Sequence, residues 1–82
     1  MENTGSPHIS IRLANEADQS KLVRLAALDS APAPRWPVLV ADVDGEIVAA
    51  RAVESAQRTI ADPFRPTADV RALLELRARQ AA

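Results

Sequence analysis

Cysteine and tyrosine are absent from this chain of 82 residues, and glycine, histidine and the aromatic residues are scarce. Without cysteine, the chain cannot form a disulfide or a thiolate-bound zinc or iron–sulfur centre. The single histidine, His8, has no second histidine with which to share a metal ion. These absences predict a protein with no metal site.

Charge of one sign is not in excess either, because ten basic residues stand against eleven acidic ones, a formal net charge of −1. This balance disfavours non-specific nucleic-acid binding, which depends on a basic surface. No apolar run approaches the roughly 20 residues that span a bilayer, and Met1–His8 lacks the apolar core of a signal peptide. We therefore expect a cytoplasmic protein with neither a nucleic-acid nor a membrane partner.

The length allows one small domain. Residues 1–8 include Gly5, Ser6 and Pro7 and show no hydrophobic periodicity, which predicts a flexible N-terminal tail. Residues 9–82 are predicted to form the single domain. Much of its apolar content is alanine, which buries little area, so the expected stability is marginal and would gain from a partner or from self-association.

Hydrophobic periodicity predicts a strand and then a helix in the first part of the chain. Ile9–Leu13 alternates apolar and polar residues, which is typical of a half-buried strand. Asn15 followed by Asp18 is a partial capping box and predicts a helix from about Glu16 to Asp29. The three prolines of residues 31–37 then predict a stiff connector.

The pair Asp44-Gly45 between two aliphatic segments is the strongest local signal, because it favours a type I′ turn. It predicts a hairpin of Val38–Val43 and Ile47–Val53 in which Ala41 pairs with Val48. Both faces of this hairpin are apolar, so both must be covered.

A short strand over Arg58–Ala61 and a helix from an N-cap at Thr67 to about Arg79 complete the predicted order. Only two helices are then available to cover the two faces of the hairpin. The predicted fold class is α+β in the order β-α-β-β-β-α. Its three- to four-stranded, mainly antiparallel sheet has one helix on each face.

Two segments of the chain resemble a GNAT-type acyl-CoA N-acyltransferase. The pattern Ile9-x-Ile11-Arg12-x-Ala14, followed by Asp18, Leu22 and Leu25, resembles the opening of that domain. Residues 38–49, VLVADVDGEIVA, resemble its second and third strands. The resemblance covers residues 9–53 well and 58–80 loosely, and implies a truncated GNAT-like half-domain.

The chain departs from the family where coenzyme A would bind. The family's loop follows the pattern Gln/Arg-x-x-Gly-x-Gly/Ala, whereas Phe64–Asp69 contains no glycine. Pro66 also removes an amide donor, and Asp69 would repel a phosphate. The family's fifth strand, its last helix and the tyrosine that often acts as general acid are missing as well. We therefore predict no catalytic residue and no bound cofactor.

Arg65 and Thr67 are the one weak candidate for a cofactor-binding site, since an arginine beside a helix start can bind an anion such as a phosphate. The alternative, which we favour, is that Thr67 is an ordinary helix cap and Arg65 a solvated charge. Asp62 is either a relic general base or, as we favour, a turn former before Pro63.

The sequence thus predicts a small non-catalytic protein that acts through protein interaction or self-association. The predicted surface is the exposed outer edge of the last strand, which the missing fifth strand would otherwise pair. The alternative is that this edge is covered. An alternative is a minimal acyl-CoA-binding protein or N-acyltransferase that is completed by dimerisation, with acetyl-CoA or another acyl-CoA near Arg65 and Thr67. A third interpretation is a remnant, or a segment of a longer protein.

Overall fold

Four strands form one antiparallel sheet with a helix packed on each face. The structure, a computed structural model, describes residues 9–81, so the predicted N-terminal tail lies outside the described residues. The elements are β1 (Ile9–Leu13), α1 (Gln19–Leu28), β2 (Val38–Val43), β3 (Glu46–Ala52), β4 (Ile60–Ala61) and α2 (Ala68–Ala81). The strands lie in the sheet in their chain order. This arrangement confirms the predicted α+β fold class.

The predicted capping box starts α1 by way of a short 3-10 turn, Glu16–Asp18. The N–H of Ala17 donates to Asn15 Oδ1 at 2.9 Å, and the N–H of Asn15 donates to Asp18 Oδ2 at 2.8 Å. These bonds satisfy backbone donors that the first turn of a helix leaves without an intrahelical partner.

The hairpin turn has the predicted conformation, with φ of 52° at Asp44 and 89° at Gly45. The predicted register holds only next to this turn. Ala41 pairs with Ala49 rather than with Val48, because a β-bulge in β3 makes Val48 an extra residue. A bulge turns consecutive residues to one face, and the apolar pattern on both faces gave no sign of it.

The bulge decides which residues of β3 meet which helix. On the α2 side the buried cluster is Leu39, Ala41, Val43, Val48, Ala49, Ala61, Val70, Leu74 and Ala78. On the α1 side it is Leu22, Leu25, Ala26, Val38, Val40, Ala50 and Ile60. The predicted register would have exchanged Ala49 and Ala50 between the two faces. Each face is nevertheless covered by one helix, as the apolar hairpin requires.

The last strand is shorter than predicted, because the ladder with β3 holds only Ile60 and Ala61. Arg58 lies outside the ladder, and its guanidinium extends to Asp29 at the end of α1. α2 begins directly after Thr67, whose carbonyl accepts from the N–H of Arg71 at 2.8 Å.

Candidate functional site

The predicted anion site lies where the β2–β3 turn meets the segment that leads into α2. There Arg65 and Thr67 line the same hollow of about 200 Å³. The other lining residues are Ile9, Val43, Asp44, Val48, Pro66 and Val70. The structure therefore brings the two predicted residues together, in surroundings that are largely aliphatic.

The guanidinium of Arg65 already has an anionic partner, because it forms an ion pair and a hydrogen bond with the carboxylate of Glu46. Both side chains are partly exposed, so the pair is worth little in stability. Thr67 is buried at the start of α2. A phosphate at this position would have to compete with Glu46 for the positive charge.

A larger cleft of about 300 Å³ lies on the other side of Arg65. Lys21 and Arg24 of α1 line it together with Arg65, and the carboxylates of Glu46 and Asp62 line it too. The sequence analysis missed the two α1 cations, because nothing in the sequence relates α1 to the segment before α2. Asp62 Oδ1 accepts from the N–H of Phe64 at 2.8 Å, as expected of a turn former.

The outer edge of β4 is closed, which corrects the prediction of an exposed edge on the last strand. The N–H of Ala61 donates to Asp29 Oδ2 at 3.1 Å, and the guanidinium of Arg71 donates to the carbonyl of Thr59 at 3.4 Å. Residues 59–61 are only 1–3% exposed. Side chains from the end of α1 and from α2 thus occupy backbone groups that a fifth strand would pair.

Asp29 is suited to close this edge because the surrounding hydrogen bonds stabilise its ionised carboxylate. Burial would raise the pKa of the Asp29 carboxyl, but the hydrogen bonds from Ala61 and Arg58 outweigh burial and lower it. The guanidinium of Arg58 donates to Asp29 Oδ2 at 2.9 Å and to the Asp29 carbonyl at 3.1 Å. The carboxylate therefore remains an acceptor for the edge amide at neutral pH.

At the opposite edge of the sheet, β1 has backbone groups that no other strand in residues 9–81 pairs. Among the described residues β1 pairs with β2 alone. The N–H of Ala14 donates to the carbonyl of Val38 at 2.8 Å, which fixes the alternation of the antiparallel ladder. Ser10 and Arg12 therefore point their backbone groups toward β2, and Ile9, Ile11 and Leu13 point theirs away from it.

The side chains of the same three residues lie on the α2 face of the sheet, because they pair with the α2-side residues of β2. Ile11 packs against the α2-side cluster, whereas Ile9 is 42% and Leu13 60% exposed. The terminal strand therefore presents two aliphatic side chains at its open edge.

α2 adds one more aliphatic side chain to this region. Arg71 and Glu75 contact Thr59, so their flank of α2 faces β4. At about 100° per residue, Leu73 falls on the opposite flank, toward β1. Leu73 is 40% exposed. We call the surface formed by Ile9, Ile11, Leu13 and Leu73 the β1–α2 side.

A partly buried ion pair on the other face of the sheet holds β1 in place. The guanidinium of Arg12 donates to both carboxylate oxygens of Asp18, at 2.8 and 3.1 Å, and lies 3.6 Å from Asp42. The hydrogen bonds from Arg12 and from the N–H of Asn15 lower the pKa of Asp18 to about 2. The strand at this edge is thus tied to the turn that begins α1 and to β2.

Comparison of the chain with protein-family models, with curated proteins and with solved structures finds no match. In the described part of the chain, no group of three or more acidic or histidine side chains could hold a metal ion. Neither helix in residues 9–81 is long and apolar enough to cross a membrane.

Proposed function

We propose that this chain is a non-catalytic, GNAT-like interaction domain of the cytoplasm that pairs with another polypeptide strand through the β1–α2 side. The observation that carries the proposal is the contrast between the two edges of the sheet. The edge at β4 is occupied by Asp29 and Arg71, whereas three N–H groups and three carbonyls of β1 point away from β2 and are paired by no other described strand.

Strand addition to an open edge is a general mode of polypeptide recognition. The backbone groups of the edge supply affinity, and side chains on one face supply specificity. Here the open backbone groups and the exposed aliphatic side chains belong to the same residues, Ile9 and Leu13. The segment of this chain that takes the place of the coenzyme A loop, Phe64–Asp69, contains no glycine, and its Arg65 is paired with Glu46.

A titration of the ¹⁵N-labelled protein with a short, capped peptide of alternating isoleucine and threonine tests this proposal. We expect saturable amide shifts at Ile9, Ile11 and Leu13, and none at residues 60 and 61. The variant Leu13→Pro should lose binding, because it removes an outward N–H that β2 does not use. The matched control Val23→Lys, at an exposed position of α1, should bind like the unmodified chain.

A second candidate function is binding of an acyl-CoA. The observation that favours it is the larger cleft, which is lined by three cationic side chains and by the aliphatic Leu25 and Leu28. Titration with acetyl-CoA separates the two functions. Saturable shifts from Phe64 to Val70, together with Lys21 and Arg24, would establish the cleft as a ligand site. The interaction proposal expects no shifts there at millimolar acetyl-CoA.

A further inference from the structure

The sheet offers one open edge in the described part of the chain, because side chains already close the edge at β4. Pairing between β1 of one molecule and β4 of the next would require Asp29 and Arg71 to be displaced. A sheet that grows from molecule to molecule is therefore disfavoured. Two molecules that share their single open edge form instead a closed assembly with two-fold symmetry.

We propose that the strand added to β1 is β1 of a second copy of this chain, antiparallel and centred on Ile11. This inference rests on the proposed function and names its partner. The register follows from the outward residues of the edge, which are symmetric about Ile11. Ile11 then lies opposite Ile11 of the second copy, and Ile9 lies opposite Leu13.

The backbone groups match fully in this register. Three residues of each chain present one N–H and one carbonyl each, so the two edges exchange six hydrogen bonds. The guanidinium of Arg12 also donates to the carbonyl of Leu13, but at 3.4 Å this bond is long. The carbonyl, which has two lone pairs, remains able to accept from a second strand.

The side chains are compatible with the same register. On the α2 face, three cross-strand pairs of large aliphatic residues form between Ile9, Ile11 and Leu13 of the two copies, and such pairs stabilise sheets. On the other face, Arg12 lies opposite Ser10 of the second copy rather than opposite another arginine. The charge of Arg12 stays paired with Asp18 and Asp42 of its own chain.

Single cysteines test the register, because the natural chain contains none. Residues opposite each other in a hydrogen-bonded pair have Cα atoms about 5.5 Å apart, within the range of a disulfide. A mixture of Ile9→Cys and Leu13→Cys should therefore form a cross-linked dimer on oxidation. Each variant alone should not, since like positions lie about 13 Å or more apart. Both substitutions fall at exposed positions and spare the core.

Sedimentation over a range of concentrations tests the dimer without cross-linking. We expect a reversible dimer, weakened about tenfold or more by Leu13→Pro and unchanged by Val23→Lys. A cross-link formed equally well by either cysteine variant alone would overturn the register. A protein that stays monomeric but binds the isoleucine–threonine peptide would show that the partner is not a second copy of the chain. The proposed function would then still stand. Failure of both measurements would overturn both.

Discussion

Replacing Asp18 by asparagine should destabilise the protein in a way that depends on pH. The pKa of Asp18 is about 2, against an ordinary value of 3.8. At 1.36 kcal/mol per pKa unit, this difference is worth about 2 kcal/mol of folding free energy. The carboxyl is almost fully buried, so solvent screens it little. Since the folded pKa is the lower one, the contribution is complete above about pH 4 to 5. It is lost as the pH falls toward 2.

Urea unfolding of the natural chain and of Asp18→Asn at several pH values measures this effect. We expect the two free energies of unfolding to differ by about 2 kcal/mol at pH 7, and the gap to close progressively between pH 4 and pH 2. Glu54→Gln is a matched control, because Glu54 is exposed and should show a much smaller gap. A gap for Asp18→Asn that stays constant down to pH 2 would refute the reasoning, since the loss would then not come from the ionised carboxylate.

Three further substitutions test other parts of the structure. Asp29→Ala should cost about 1–3 kcal/mol and should make the amide of Ala61 exchange rapidly in NMR, because the edge of β4 loses its acceptor; unchanged protection of Ala61 would contradict this. Gly45→Ala should lower the free energy of unfolding by about 1 kcal/mol in denaturant unfolding. The cost comes from the positive φ of 89°, and no steric clash adds to it because no atom lies within 4 Å of an added Cβ. Leu74→Ala, which truncates a fully buried side chain of α2, should cost about 2–5 kcal/mol in the same assay. A cost below 1 kcal/mol would mean that α2 packs loosely on the sheet.

The elements predicted from sequence were those with a local chemical cause. Asn15 and Asp18 satisfy each other's backbone groups within one turn, and Asp44-Gly45 meets the torsional demand of its own turn. Both faces of the hairpin are apolar, so each needs a helix packed on it. This requirement predicted the order of layers, with the sheet between two helices. The cap and the turn depend on no residue far away in the chain.

The bulge at Val48 and the closed edge of β4 could not be predicted in this way. Both faces of β3 are aliphatic, so a shift of one residue leaves the pattern equally favourable. Asp29 reaches Ala61 across 32 positions of sequence, and nothing near either residue indicates the contact. The same holds for Lys21 and Arg24, which line one cleft with Arg65 only through the packing of α1 on the sheet. The resemblance to the acyltransferase family remains a hypothesis about residues 9–53.

Amide hydrogen exchange along β1, followed by NMR, tests the central claim most directly. In dilute protein without peptide, the amide of Arg12 should be protected by the ladder with β2, and the amide of Ile11 should exchange rapidly. Addition of the isoleucine–threonine peptide should then protect Ile11. Protection of Ile11 that is already present in dilute protein and independent of added peptide would contradict the account, because the edge would then be covered by the chain itself.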